Sequence, residues 1–192
     1  MTAPKLAPPG QGIPFLERFF MRRIILPRLR KNWTWEKADQ VFARETGTII
    51  GLVGDLTHQQ REGRVLVPRL VGLEDSSRNW SVNMTLEHLM VVVKAMSDII
   101  INLSQGKPFP HDVSIAAVKP KGILNENSVI VFGDVMKQAE DYLNKNVGNR
   151  HSPLTHPHPW FGPMDAEAWH ILLAVHHGLH RRQIEKIVAG LV

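Results

Sequence analysis

Residues 80–104, WSVNMTLEHLMVVVKAMSDIIINLS, limit the possible folds more than any other stretch of this chain. At helical spacing Met84, Leu89, Val92, Val93, Met96, Ile99 and Ile100 go nearly all the way round, and Glu87, Lys94 and Asp98 form a narrow charged strip. A helix that is apolar on most sides needs neighbours on most sides. The pattern predicts a helix from near Asn79–Asn83 to about Ser104, ended by Gly106, Pro108 and Pro110.

Three further segments can supply those neighbours. A helix is expected over 34–62, with Ala38, Val41, Phe42, Ile49, Leu52, Val53 and Leu56 on one face and Glu45 in the middle of it. Another is expected over 127–147, with Phe132, Val135, Met136, Ala139, Tyr142 and Leu143 on one face and Gly148 as its stop. The last is expected over 166–190, with Asp165 as N-cap and Gly190 at its end. Residues 107–124 read as irregular, and the proline-rich NRHSPLTHPHPWFGPM at 149–164 reads as a loop without regular structure. No alternation of period two persists, so the expected fold is all-α, a four-helix bundle.

Charge divides the chain at about residue 34. Residues 1–34 hold seven basic side chains against Glu17 alone, whereas the rest holds 16 basic and 17 acidic ones. The domain reading is therefore a basic N-terminal extension, 1–34, and a bundle domain, 35–192. Residues 1–12 read as loose. Residues 13–31 read as a short basic amphipathic helix broken near Pro27, with Phe15, Leu16, Phe19 and Phe20 packing on the bundle or on a second subunit. A near-neutral body argues against a specific nucleic-acid-binding face. No transmembrane segment is expected, because no apolar run has the length of a span. The N-terminus lacks the pattern of a secretory signal, which points to the cytoplasm. Weak contact of the arm with a membrane surface stays open.

The chain has no cysteine, so a metal would need histidine and carboxylate ligands. The segment AVHHGLHRRQIEKI at 174–187 supplies histidines. His176 and His180 are at i and i+4, in the centre of the apolar stripe of the last helix, stacked on one face. His88 points inward on the helix of 80–104. Three inward histidines on two helices would form a metal site with an open position. They could equally be core histidines hydrogen-bonded to backbone or water. His177, about 100° around the helix from His176, and His170 read as solvated edge residues, and His151 and His156 as solvated. Glu45 is a candidate general base or an acceptor behind a ligand histidine. Trp160 and Phe161 either plug the end of the bundle or line a substrate pocket, and His158 either donates to a substrate or holds its loop.

Three motifs in order, WSVNMTLEHL at 80–89, HPWFGPM at 158–164 and HHGLHRRQI at 176–184, resemble the DinB-like superfamily. The resemblance covers roughly residues 35–190. It implies a four-helix bundle of the DinB-like type with an N-terminal extension, in which three histidines hold one divalent metal. Carried over to this sequence the ligands are His88, His176 and His180; imidazole ligands suit zinc or nickel as the ion. It implies either S-transfer, with a low-molecular-weight thiol as co-substrate, or hydrolysis, acting on a small organic substrate. The chain departs from a capping-box start to the last helix, where Ala168 occupies the position for Glu. The alternative is a non-catalytic metal-binding or interaction bundle. A homodimer is expected, for which the apolar second helix offers a face.

Overall fold

The computed structural model describes residues 4–191. Four long helices form the body: α3 (Trp35–Val53), α5 (Val82–Ser104), α6 (Ser128–Asn146) and α7 (Ala166–Ala189). Both α3 and α5 pack against both α6 and α7, which gives a square four-helix bundle. The helix that demanded neighbours obtains them. Leu86, Leu89, Val93 and Ile100 of α5 have no exposed surface, and each contributes about 1.5–3 kcal/mol by leaving water. Val91 is the one exposed large apolar residue on α5, so little of its face is left for a second subunit.

Side-chain caps start three of these helices where the sequence expects them. Thr34 accepts from Lys37 N–H, Ser81 from Met84 N–H, and Asp165 from Ala168 N–H. Each such cap contributes about 1 kcal/mol. The expected helix over 34–62 is in fact two. It stops at Gly54, and the chain restarts as α4 (His58–Glu62), because Thr57 and Gln60 form a reciprocal capping box.

The segment 149–164 also differs from expectation. It contains a hairpin, β3 (His156–His158) paired antiparallel with β4 (Gly162–Met164). Pro157 faces Pro163, which suits a non-hydrogen-bonded pair, since neither proline has an N–H to offer. Gly162, at φ +79°, supplies the left-handed backbone there. A second short ladder joins β1 (Val65–Leu66) to β2 (Asn79–Trp80).

The N-terminal arm folds as α1 (Phe15–Phe20), a π-helical turn (Met21–Ile25) and α2 (Leu26–Asn32). The break expected near Pro27 does not occur: the backbone stays right-handed helical from α1 through the π turn into α2, and the wider π turn before Pro27 accommodates its missing N–H. Of the loose stretch expected over 1–12, residues 1–3 lie outside the described residues. The remainder is tethered: Ala7 N–H donates to Asp75 and Gly12 N–H to Glu74, both at 2.8 Å. Ile13 and Leu26 are buried, and Arg30 pairs with Asp165. Of the two expectations for Phe15, Leu16, Phe19 and Phe20, packing on the bundle is not met, since all four are exposed. The arm is anchored by its other residues. Tyr142, expected on the apolar face of α6, is exposed as well, because it lies at the edge of that face beyond Leu143.

Candidate metal centre

α5 and α7 cross so that His88, His176 and His180 converge. One ring nitrogen from each lies within 4.8 Å of the others. His88 Nε2 is 3.2 Å from His176 Nε2. Two imidazoles on a tetrahedral ion at 2.0–2.1 Å would be about 3.3 Å apart. The spacing fits a shared ion.

The outer nitrogens are oriented as ligands require. His88 Nδ1–H donates to Val118 C=O at 2.7 Å, and His180 Nδ1–H donates to Gln183 Oε1 at 2.7 Å. Each bond fixes a tautomer that leaves the Nε2 lone pair free. Gln183 is itself held by donating to Ser77 C=O. Burial lowers all three imidazole pKa values, that of His88 to about 4 and those of His176 and His180 well below the ordinary value. The rings are therefore neutral at neutral pH, which is the form that binds metal. His176 Nδ1 has no partner although it is buried.

A cavity of about 320 Å³ opens beside the triad. Trp160, Phe161 and His158 line it from the hairpin, so the loop expected either to plug the bundle or to form a pocket wall lies at the pocket. His158 stacks on Phe161, and its Nδ1 accepts from Trp160 N–H at 3.1 Å. Burial lowers its pKa to about 4. Glu45 does not line the cavity. It is buried on α3 between Arg44 and Arg181. Burial alone would raise its pKa, but the hydrogen bonds from the two guanidinium groups outweigh this and hold it low. A carboxylate so paired ties α3 to α7.

Two edge assignments are overturned. His177 is fully buried, its Nδ1 close to Leu173 C=O, its Nε2 close to Met136 Sδ, and its ring against Phe42. His170 is also buried, stacked on Trp35 at 4.0 Å with Nε2 2.8 Å from Asp39. α7 has bundle neighbours on more than one side, so a ring about 100° from the triad still points into protein. His156 is likewise buried, beside Phe109 and Trp169; His151 is exposed.

Gln183 and Glu87 are the supports that the sequence reading missed. Gln183 stands three residues after His180 on the same stripe, a spacing that signals a possible partner. Gln183→Leu should keep the fold and weaken metal affinity about tenfold, as removal of a ligand's orienting partner does. Competition with a chromogenic chelator measures this; an unchanged affinity would show that the bond orients nothing.

Together these features define a helical bundle with three inward histidines, His88 and His180 buried and His176 half-buried, able to hold a metal ion. Comparison with family models and with curated proteins gives no match. Among solved structures, the chain is similar to the crystal structure of TT2238, a four-helix bundle protein. The two share 18% identity with a TM-score of 0.54, over 79% of this chain and 98% of that one. At this identity the likeness establishes the fold.

Proposed function

We propose that this chain is a metal-dependent enzyme of the DinB-like kind, acting by thiol transfer or hydrolysis on a small organic substrate. The observation that carries the proposal is the convergence of three neutral imidazoles at the wall of a cavity. Among the described residues no fourth side chain joins the group; a purely structural site is normally closed by four ligands. An ion held by uncharged ligands keeps its full positive charge and lowers the pKa of a water or thiol at its open position.

The chain's own residues have separate tasks. His88 and His180 are held by Val118 and Gln183, so their rings need not reorganise. His158 stays neutral; with Nδ1 accepting from Trp160 N–H, its proton is on Nε2, available to a substrate oxygen or leaving group. Trp160 and Phe161 exclude water from that side of the cavity. The test is elemental analysis of the purified protein. Assays of the zinc- and nickel-loaded forms follow, with low-molecular-weight thiols plus electrophiles and with ester and amide substrates. About one ion per chain and turnover in one assay is expected. Failure to take up metal on loading would end this reading.

The state of His158 gives a pH prediction. Its folded pKa is about 4, against about 6.5 when unfolded. The folded state therefore binds fewer protons between these values. The stability this contributes is present above pH 6.5 and is lost as pH falls through about 4. The His158 ring resonances should titrate near pH 4 by NMR. A midpoint above 6 would mean that the ring is solvated.

A further inference from the structure

We propose that the cavity selects a predominantly apolar substrate, one with a single ligating headgroup on a hydrocarbon body, and not a polar, multiply charged thiol. This names a substrate class for the site proposed above and rests on that reading. Its walls away from the triad include Val92, Met96, Ile99, Phe109, Leu172 and Leu179. Among the described residues lining it, Lys119 is the one lysine or arginine. Its ammonium is already engaged by Glu74 and by the hydroxyls of Ser76 and Ser77. A ligand with carboxylates would thus find no unpaired fixed cation there, and would leave its charges desolvated. The volume of about 320 Å³ is roughly twice that which holds one benzene ring. A body of two rings or about ten carbons fits.

The experiment titrates the zinc-loaded full chain calorimetrically with acetohydroxamate and octanohydroxamate, with zinc content measured on the same sample. The longer chain should bind on the order of a thousandfold tighter, since it buries about six further methylenes and each contributes about threefold. Ala95→Phe, which fills the wall, should remove most of that gain. Octan-1-ol, which has no strong ligating headgroup, should perturb the fluorescence of Trp160 and Trp169 even in the metal-free protein. Octanol binding without any metal uptake would uphold the apolar cavity and overturn the metal site. Full zinc uptake with both hydroxamates binding within about threefold would overturn the substrate class and leave the metal site standing, as would glutathione binding as tightly as octanethiol.

A different observation carries a second inference. Phe15, Leu16, Phe19 and Phe20 are 69, 65, 47 and 51% exposed on an arm that is otherwise anchored. Glu17 secures it from inside, pairing with Arg69 and accepting from Gly72 N–H. Beside this apolar face Arg22, Arg23, Arg28 and Lys31 are exposed. The geometry points to an anionic lipid surface as the occupant: aromatic side chains enter the interface and the cations meet the headgroups. A second copy fits less well, because a symmetric contact would bring two strongly basic arms together.

Cosedimentation of the full chain with vesicles tests this. Binding to phosphatidylcholine vesicles containing about one-third phosphatidylglycerol should exceed binding to pure phosphatidylcholine by about tenfold, and should fall in about 0.5 M salt. The double variant Phe19→Ser, Phe20→Ser should lose about tenfold without a change in melting temperature, since both rings are exposed. No binding to anionic vesicles, or binding that the double variant does not alter, overturns the inference. So does a dimer that the variant disperses, or binding confined to single-stranded RNA.

Discussion

Alanine at His88, His176 or His180 is expected to remove the divalent ion, from about one per chain to less than about 0.2 in each case, whereas His177→Ala should retain it. Loss of one of three imidazoles leaves two ligands, too few for tight binding by zinc or nickel. The neighbouring His177 is the informative control. It differs from His176 by one residue in sequence, yet its ring points about 100° away around α7, against Phe42 and Met136. Its replacement leaves a void and should cost about 2–3 kcal/mol of stability while the metal stays. The triad variants should show the inverse pattern, losing metal while keeping helical circular dichroism. Elemental analysis beside thermal melts reads both. Full occupancy in His88→Ala would sink the three-histidine site, and metal loss in His177→Ala alone would mean that α7 has the wrong rotation.

The triad was legible because its signal is local. An i, i+4 pair in an apolar stripe and one inward histidine on another helix are properties of single helices, and helical geometry fixes their direction. The four long helices were legible for the same reason. What surrounds α7 was not. The wheel places His177 and His170 at an edge, but an edge is solvated only when no further helix lies beside it, and here α3 packs there. The break after Val53 lay in a competition between Gly54, the Thr57 capping box and a continuing apolar face, in which the local box prevails. The exposed phenylalanines of the arm were legible only as an apolar face. An apolar face on a helix predicts a partner, and sequence cannot say whether that partner is the same chain. Contacts between distant segments were beyond reach, among them the Val118 carbonyl on His88 and the Glu74–Lys119 pair.

Glu87→Ala should release residues 107–124 from the site and destabilise the protein by about 2–3 kcal/mol. The sequence reading placed Glu87 on the charged strip of α5, but it is buried. Its carboxylate accepts from three consecutive backbone N–H groups, Lys121 and Gly122 at 2.8 Å and Ile123 at 3.2 Å. Gly122, at φ +77°, turns the chain so that these donors converge on one acceptor. Residues 121–123 are exposed, so water replaces part of what is lost, and the cost stays below that of a fully buried anion. The neighbouring residue His88 donates to Val118 on the same segment. One turn of α5 thus holds both the ligand and the chain that orients it. Freeing the segment should therefore weaken metal affinity about tenfold although no ligand is touched. Gly122→Ala reaches the same end through the backbone. A methyl group there meets no atom within 4 Å, so its cost of about 1 kcal/mol is conformational. Hydrogen exchange at residues 121–123 should speed up in both variants, more in Glu87→Ala, with metal affinity falling in the same order. Faster exchange with unchanged affinity would mean that His88 keeps its orientation without Val118.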